Sequence, residues 1–189
     1  MTILNPLILE PGTIGACKAS PGIKIGNALT SPQTDRGHYF LVWQYVPEDG
    51  DYIILESIDK GVAVSRMSKY RGQGVQFFQV DCPADLRHQT PIQLTKYGEA
   101  HYDWWLIPHL AFHGVVVFIK NLIKEHKFRR LRAEELPYDI NGSLICTEAI
   151  QTAYLAVGVP IIDPDIIPTP SAFKQAELDG MLIRLFFKW

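Results

Sequence analysis

Three residues in this chain combine a type and a setting that could do covalent chemistry. Cys146 stands near the start of the clearest helical stretch, Ser143–Val157, where Ser143 can cap, Glu148 sits near the start, and Gly158 and Pro160 mark the stop. Unpaired amides and the dipole at a helix N-terminus stabilise a thiolate and can donate to an oxyanion formed in acyl transfer. His38 opens the strongest strand signal, HYFLVWQYV, and shares its period-2 face with Phe40 and Val42. A neutral imidazole is the group that takes a proton from sulfur and returns it to a leaving group. Glu56 lies in the next strand, between Ile54 and Ile58 on one face, where an unpartnered carboxylate is costly. A carboxylate on the imidazole would fix its tautomer. Each residue also has a plain structural alternative: a small core thiol, a strand-end histidine bonded to a loop carbonyl, a solvated glutamate.

The elements that must position them run from strands to helices. Thr13–Lys18 reads as a short strand and Pro21–Leu29 as a short helix capped by Ser20, with Pro21 at the first helical position. His38–Val46 and Tyr52–Ile58 form a hairpin across the turn Glu48-Asp49-Gly50. Gly61–Arg66 and Val75–Val80 extend it, and their close spacing predicts an antiparallel meander. Pro91–Tyr97 and Leu106–His126 carry helical spacing. Val159–Pro170 is proline-rich and is expected to run extended over the surface, and Met181–Phe187 reads as a closing strand. The pattern is α+β, a β-meander or half-barrel packed against helices in one domain over residues 1–189.

Composition narrows the function classes. At 47% hydrophobic and 20% charged residues the chain can bury a full core. A net charge of -2 gives no electrostatic reason to expect nucleic acid, and the basic run Lys124–Arg132 is offset by Glu125, Glu134 and Glu135. Three cysteines without paired spacing argue against a disulfide framework and for a reducing compartment. MTILNPLILEPG lacks the features of a secretory signal, so a cytoplasmic location on synthesis is expected. Trp104–Ile119, broken by Pro108, His109, His113 and Gly114, is shorter than the roughly 18 to 20 residues that span a bilayer and reads as a buried helix, without stable membrane insertion. His109 and His113 at i, i+4, with His101 nearby, raise a zinc site, but no Glu follows His109 as in a His-Glu-x-x-His site, so no metal or other cofactor is assigned. Gly72-Gln73-Gly74 lacks the Lys-Ser/Thr pair of a phosphate loop and is a turn.

Five segments carry a resemblance. LEPGTIGACKASPGIKIGNALTSPQTDRGHYFLVWQYV resembles the opening of the circularly permuted NlpC-type papain-like hydrolases, in the YiiX/YaeF-like branch. ILESIDKGVAVSRMSKY is similar to that family's strand pair and YGEAHYDWW to its Gly-x-x-Tyr-Asp element. SLICTEAIQTAYLAVGVPI is similar to its nucleophile helix, and PTPSAF to its proline-rich segment. Together these cover Leu9 to Phe173. The resemblance implies a papain-like fold, a triad of His38, Glu56 and Cys146 in permuted order, and a cleft lined by Tyr102 or Asp103. It implies a cysteine amidase or peptidase acting on a cell-wall peptide or small amide, which would reach the wall by phage or secretion-machine delivery. The His strand begins Gly-His-Tyr where the family has Ser-His-Val or a similar run, and Pro91 falls in a region usually helical. Two alternatives stand beside this reading: a catalytically idle module within a larger assembly, possible partners unknown, and a lipid acyltransferase or thioesterase. The last would need Leu106–Phe118 as an exposed apolar entrance.

Overall fold

The computed structural model describes residues 8–58, 61–98, 106–125, 129–136 and 145–187, with backbone alone at 106–111, 113 and 125. Six strands, β1 (Ile14–Lys18), β2 (Arg36–Val46), β3 (Asp51–Ile58), β4 (Gly61–Arg66), β5 (Gln76–Val80) and β6 (Leu182–Leu185), form one antiparallel sheet in the order β4-β3-β2-β1-β5-β6. Five α-helices accompany it: α1 (Pro21–Leu29), α2 (Ala84–Thr95), α3 (Leu106–Glu125), α4 (Cys146–Leu155) and α5 (Pro170–Leu178). The architecture is α+β.

Alternation along the strands gives the sheet two buried faces. Ile14, Ala16, Tyr39, Leu41 and Leu55 pack against Ala149, Ile150, Ala153 and Tyr154 of α4, Leu94 of α2 and Phe173 of α5. The alternate residues Cys17, Phe40, Val42, Tyr52, Ile54 and Phe77 form a second cluster with Leu9 and Met67. A strand covered on both faces has no polar side to give away, which is why HYFLVWQYV is apolar nearly throughout.

The four-strand meander stops at three. β2, β3 and β4 pair in succession, but β5 pairs with β1, on the far side of the hairpin. A 3₁₀ turn, Met67–Tyr70, ends β4, and the chain then returns to the free edge of β1. β6 closes the edge by pairing with β5, as a terminal strand.

α2 begins at Ala84, seven residues before the expected start, and runs through Pro91. A proline inside a helix orphans the carbonyl four residues earlier. Here that carbonyl, on Arg87, accepts from the Thr90 hydroxyl at 2.7 Å. The segment after α4 lies only partly on the surface: Pro160, Asp163, Pro164 and Asp165 are exposed, but Ile161 and Ile167 are buried. Gln151 makes this tolerable, its Nε2 donating to the Ile162 carbonyl at 2.8 Å and its Oε1 accepting from the Ile161 and Ile162 amides. α5 has no counterpart in the sequence reading. Thr169 caps it, accepting from the Ala172 amide at 3.2 Å, and Pro170 occupies its first turn.

Candidate active site

β2 enters the sheet through a bulge. Cys17 pairs with His38 and Lys18 with Arg36, leaving Gly37 without a partner on β1. A Cβ at Gly37 would come within 2.6 Å of the Ala19 Cα, so only glycine fits this crossing. Bulges re-aim neighbouring side chains, and His38 is the next residue. Its Nε2 lies 2.8 Å from Oε2 of Glu56 on β3. The Cys146 side chain lies close enough to favour the protonated imidazole.

Glu56 is completely buried at its side chain and is held by three donors. Oε2 accepts from His38 and from the Tyr70 hydroxyl, and Oε1 accepts from the Lys69 ammonium. Burial alone would raise its pKa, but the bonds from His38, Lys69 and Tyr70, with Ser65 close by, outweigh that and hold it at about 2. Burial likewise works against a charged His38, and the nearby Cys146 and the bond with Glu56 outweigh it, raising the imidazole from 6.5 to about 9. The site therefore favours placing a proton on His38. Tyr70 stacks nearly parallel on Phe40, with ring centroids 5.2 Å apart, and lies 5.7 Å from the His38 ring.

Cys146 is the first residue of α4. Ile145 is the N-cap, its amide donating to Oε2 of Glu148 at 3.3 Å; the expected cap Ser143 lies outside the described residues. This reversed start places the sulfur in the first turn, among amides that have no helical partner. Cys146 is 6% exposed, and the neighbouring Thr147 hydroxyl is buried with no hydrogen-bond partner among the described residues. The other thiols differ in setting. Burial pushes Cys17 up to about 12, with the Glu56 charge adding to it, and burial raises Cys82.

The structure thus holds His38 on Glu56 by a hydrogen bond and sets Cys146 near the imidazole. Tyr102, Asp103 and His101 lie outside the described residues, as do the side chains of His109 and His113. Lys69 and Tyr70 were missed as site residues. The signal was available, since a buried carboxylate needs donors and MSKY follows directly on the strand paired with that of Glu56. A cavity of about 860 Å³ opens among Ala133, Ile162, Ile166 and Ala172, the residues packed around Ile145. Neither it nor a smaller one of about 110 Å³ beside Tyr39 is lined by Cys146 or His38.

The architecture is that of a known α+β protein. It is similar to YiiX from Escherichia coli O157:H7, described as a metalloprotein and as DUF1105, with a TM-score of 0.59 and 11% identity over 95% of this chain and 98% of that one. No protein-family model and no curated protein matches the chain. At such identity the likeness establishes the fold alone, and it fits the YiiX-like branch of the resemblance. Among the described residues, no group of three or more His, Cys, Asp or Glu side chains is placed to hold a metal ion.

Proposed function

We propose that the protein is a thiol hydrolase, an amidase or peptidase of the permuted NlpC papain-like kind, working through an acyl-enzyme on Cys146. The observation that carries this is a single one: His38 is hydrogen-bonded to a buried carboxylate and lies near a cysteine at a helix N-terminus that favours its protonated form. With Nε2 held by Glu56, Nδ1 is the ring nitrogen left to exchange a proton with sulfur. The Cys146 proton passes to His38, and the thiolate attacks the substrate carbonyl carbon as the C=O π pair moves onto oxygen. First-turn amides of α4 are the donors available to that oxyanion. Collapse expels the amine, which takes the proton from His38 and leaves a thioester. Water then attacks, giving its proton to His38, and sulfur departs with that proton as the acid is released. Glu56 steadies the imidazolium in both halves, and Lys69 and Tyr70 steady Glu56.

Cell-wall peptides or small amides are the proposed substrates, on the family resemblance. A second reading, lipid acyl transfer or thioester hydrolysis by the same residues, draws on one observation: the apolar face of α3 is exposed. Turnover of peptidoglycan peptides against acyl lipids separates the two. The thiol reading expects hydrolysis of one class that disappears in both Cys146→Ala and His38→Ala. Turnover that survives either substitution contradicts it.

A further inference from the structure

α3 carries apolar residues on its outward side as well as on its packed side. At 3.6 residues per turn, Gly114 and Asn121 fall on one side, and Val115, Ile119, Leu122 and Ile123 fall away from it. The Gly114 side is the packed one: a Cβ there would lie 3.5 Å from Leu131 and 3.9 Å from Leu136. Asn121 points the same way, its amide nitrogen buried. The outward side is aliphatic: Val115 is 44% exposed, Ile119 47%, Leu122 42% and Ile123 68%. Lys120 and Lys124, both exposed, border this stripe on one flank, and neither has an ion-pair partner among the described residues. A helix that already packs Gly114, with Val117 and Phe118 half-buried beside it, and still shows water a branched aliphatic face is not arranged for solvent on that face.

We propose that α3 is a peripheral membrane-docking helix that lies in the surface of an anionic phospholipid bilayer. The stripe supplies the apolar face that sinks to the level of the acyl chains, and the two lysines meet lipid phosphate. No helix among the described residues is long and apolar enough to cross a membrane, so α3 would lie on the bilayer and not span it. A second copy of the chain fits less well. One helix face is small against the roughly 800 Å² per partner of a stable protein interface, whereas interfacial binding needs only one apolar face and a basic flank. The packed side of α3 rests on Leu131 and Leu136, and Leu136 packs with Ile145, the residue before Cys146. The proposal stands apart from the thiol chemistry, and its failure would leave the Cys146 reading untouched.

Co-flotation of the full chain with large unilamellar vesicles tests it. Vesicles of 7:3 phosphatidylcholine and phosphatidylglycerol are expected to carry the protein up the gradient, and pure phosphatidylcholine far less of it. The pair Ile119→Asp and Ile123→Asp should abolish flotation, and Lys120→Gln with Lys124→Gln should weaken it roughly 30-fold, since each basic residue near such a surface counts about fivefold. Both pairs are at exposed positions, so circular dichroism should match the parent. Absence of flotation, or flotation unchanged by the aspartate pair, overturns the proposal. So does a parent dimer in sedimentation velocity that the aspartate pair converts to monomer without any vesicle binding.

Discussion

Glu56→Gln separates charge from shape at the centre of the site. The amide can turn its oxygen toward His38 and Tyr70, keeping both bonds, and its NH₂ toward Lys69, which is 40% exposed and free to swing into solvent. What disappears is the negative charge. His38 rises from 6.5 to about 9 against burial, an interval worth roughly 3 kcal/mol, with Cys146 the largest favourable contribution and Glu56 the next. An adjacent opposite charge typically accounts for one to three pH units, so the midpoint should fall to between about 6 and 8. Stability should also fall. Glu56 moves from 4.5 to about 2 on folding, and the corresponding ~3 kcal/mol is an upper bound because the amide keeps some bonds. A loss of about 1–3 kcal/mol in urea unfolding at pH 7 is expected. NMR of the histidine rings reads the midpoint, with His38→Asn identifying the signal among the six histidines. A His38 midpoint unchanged in Glu56→Gln would refute the coupling.

Cys146→Ala should lower the His38 midpoint from about 9 toward 6.5 in the same titration, because it removes the largest favourable contribution. A raised folded-state value means tighter proton binding in the folded state, so the His38 contribution to stability is complete below pH 6.5 and fades as pH rises through about 9. Urea midpoints across that range should decline in the parent and stay flatter in His38→Asn. Tyr70→Phe keeps the stack on Phe40 but removes a donor to Glu56, and turnover should drop while the variant stays within about 1–2 kcal/mol of the parent by urea unfolding. Gly12→Ala, at φ 85° with its new Cβ 2.3 Å from the Arg87 carbonyl oxygen, should cost about 1–3 kcal/mol or more by the same measurement.

What could be seen in the sequence was local. Pro21–Leu29, Gly61–Arg66 and the β2–β3 hairpin each carry their own signals, proline, turn and alternation, and form where those signals lie. The order His38, Glu56, Cys146 was legible from residue type and setting: a histidine near a strand start, a carboxylate among apolar residues of the next strand, and a cysteine at a helix start. Pairing at a distance was not: nothing in Gln76–Val80 says that it seeks β1 over β4, since antiparallel partners on either edge bury the same residues. Compensation was equally hidden. Pro91 reads as a break until the Thr90 hydroxyl is seen on the Arg87 carbonyl, and Val159–Pro170 reads as surface until Gln151 is seen holding its backbone. The run Trp104–Ile119 was expected to be buried, because hydrophobicity records that a helix has an apolar side and not what covers it; Val115 and Ile119 are exposed.

The pairing of Cys146 with His38 is tested most directly by alkylation. Iodoacetamide labelling of the three cysteines, followed site by site by mass spectrometry from pH 5 to 10, compares Cys146 with Cys17 and Cys82, whose thiols burial raises. Cys146 should label well below pH 8 while the other two do not, and His38→Ala should remove that advantage. Labelling of Cys146 that rises only with the ordinary thiols, or that is the same in His38→Ala, would contradict the catalytic reading.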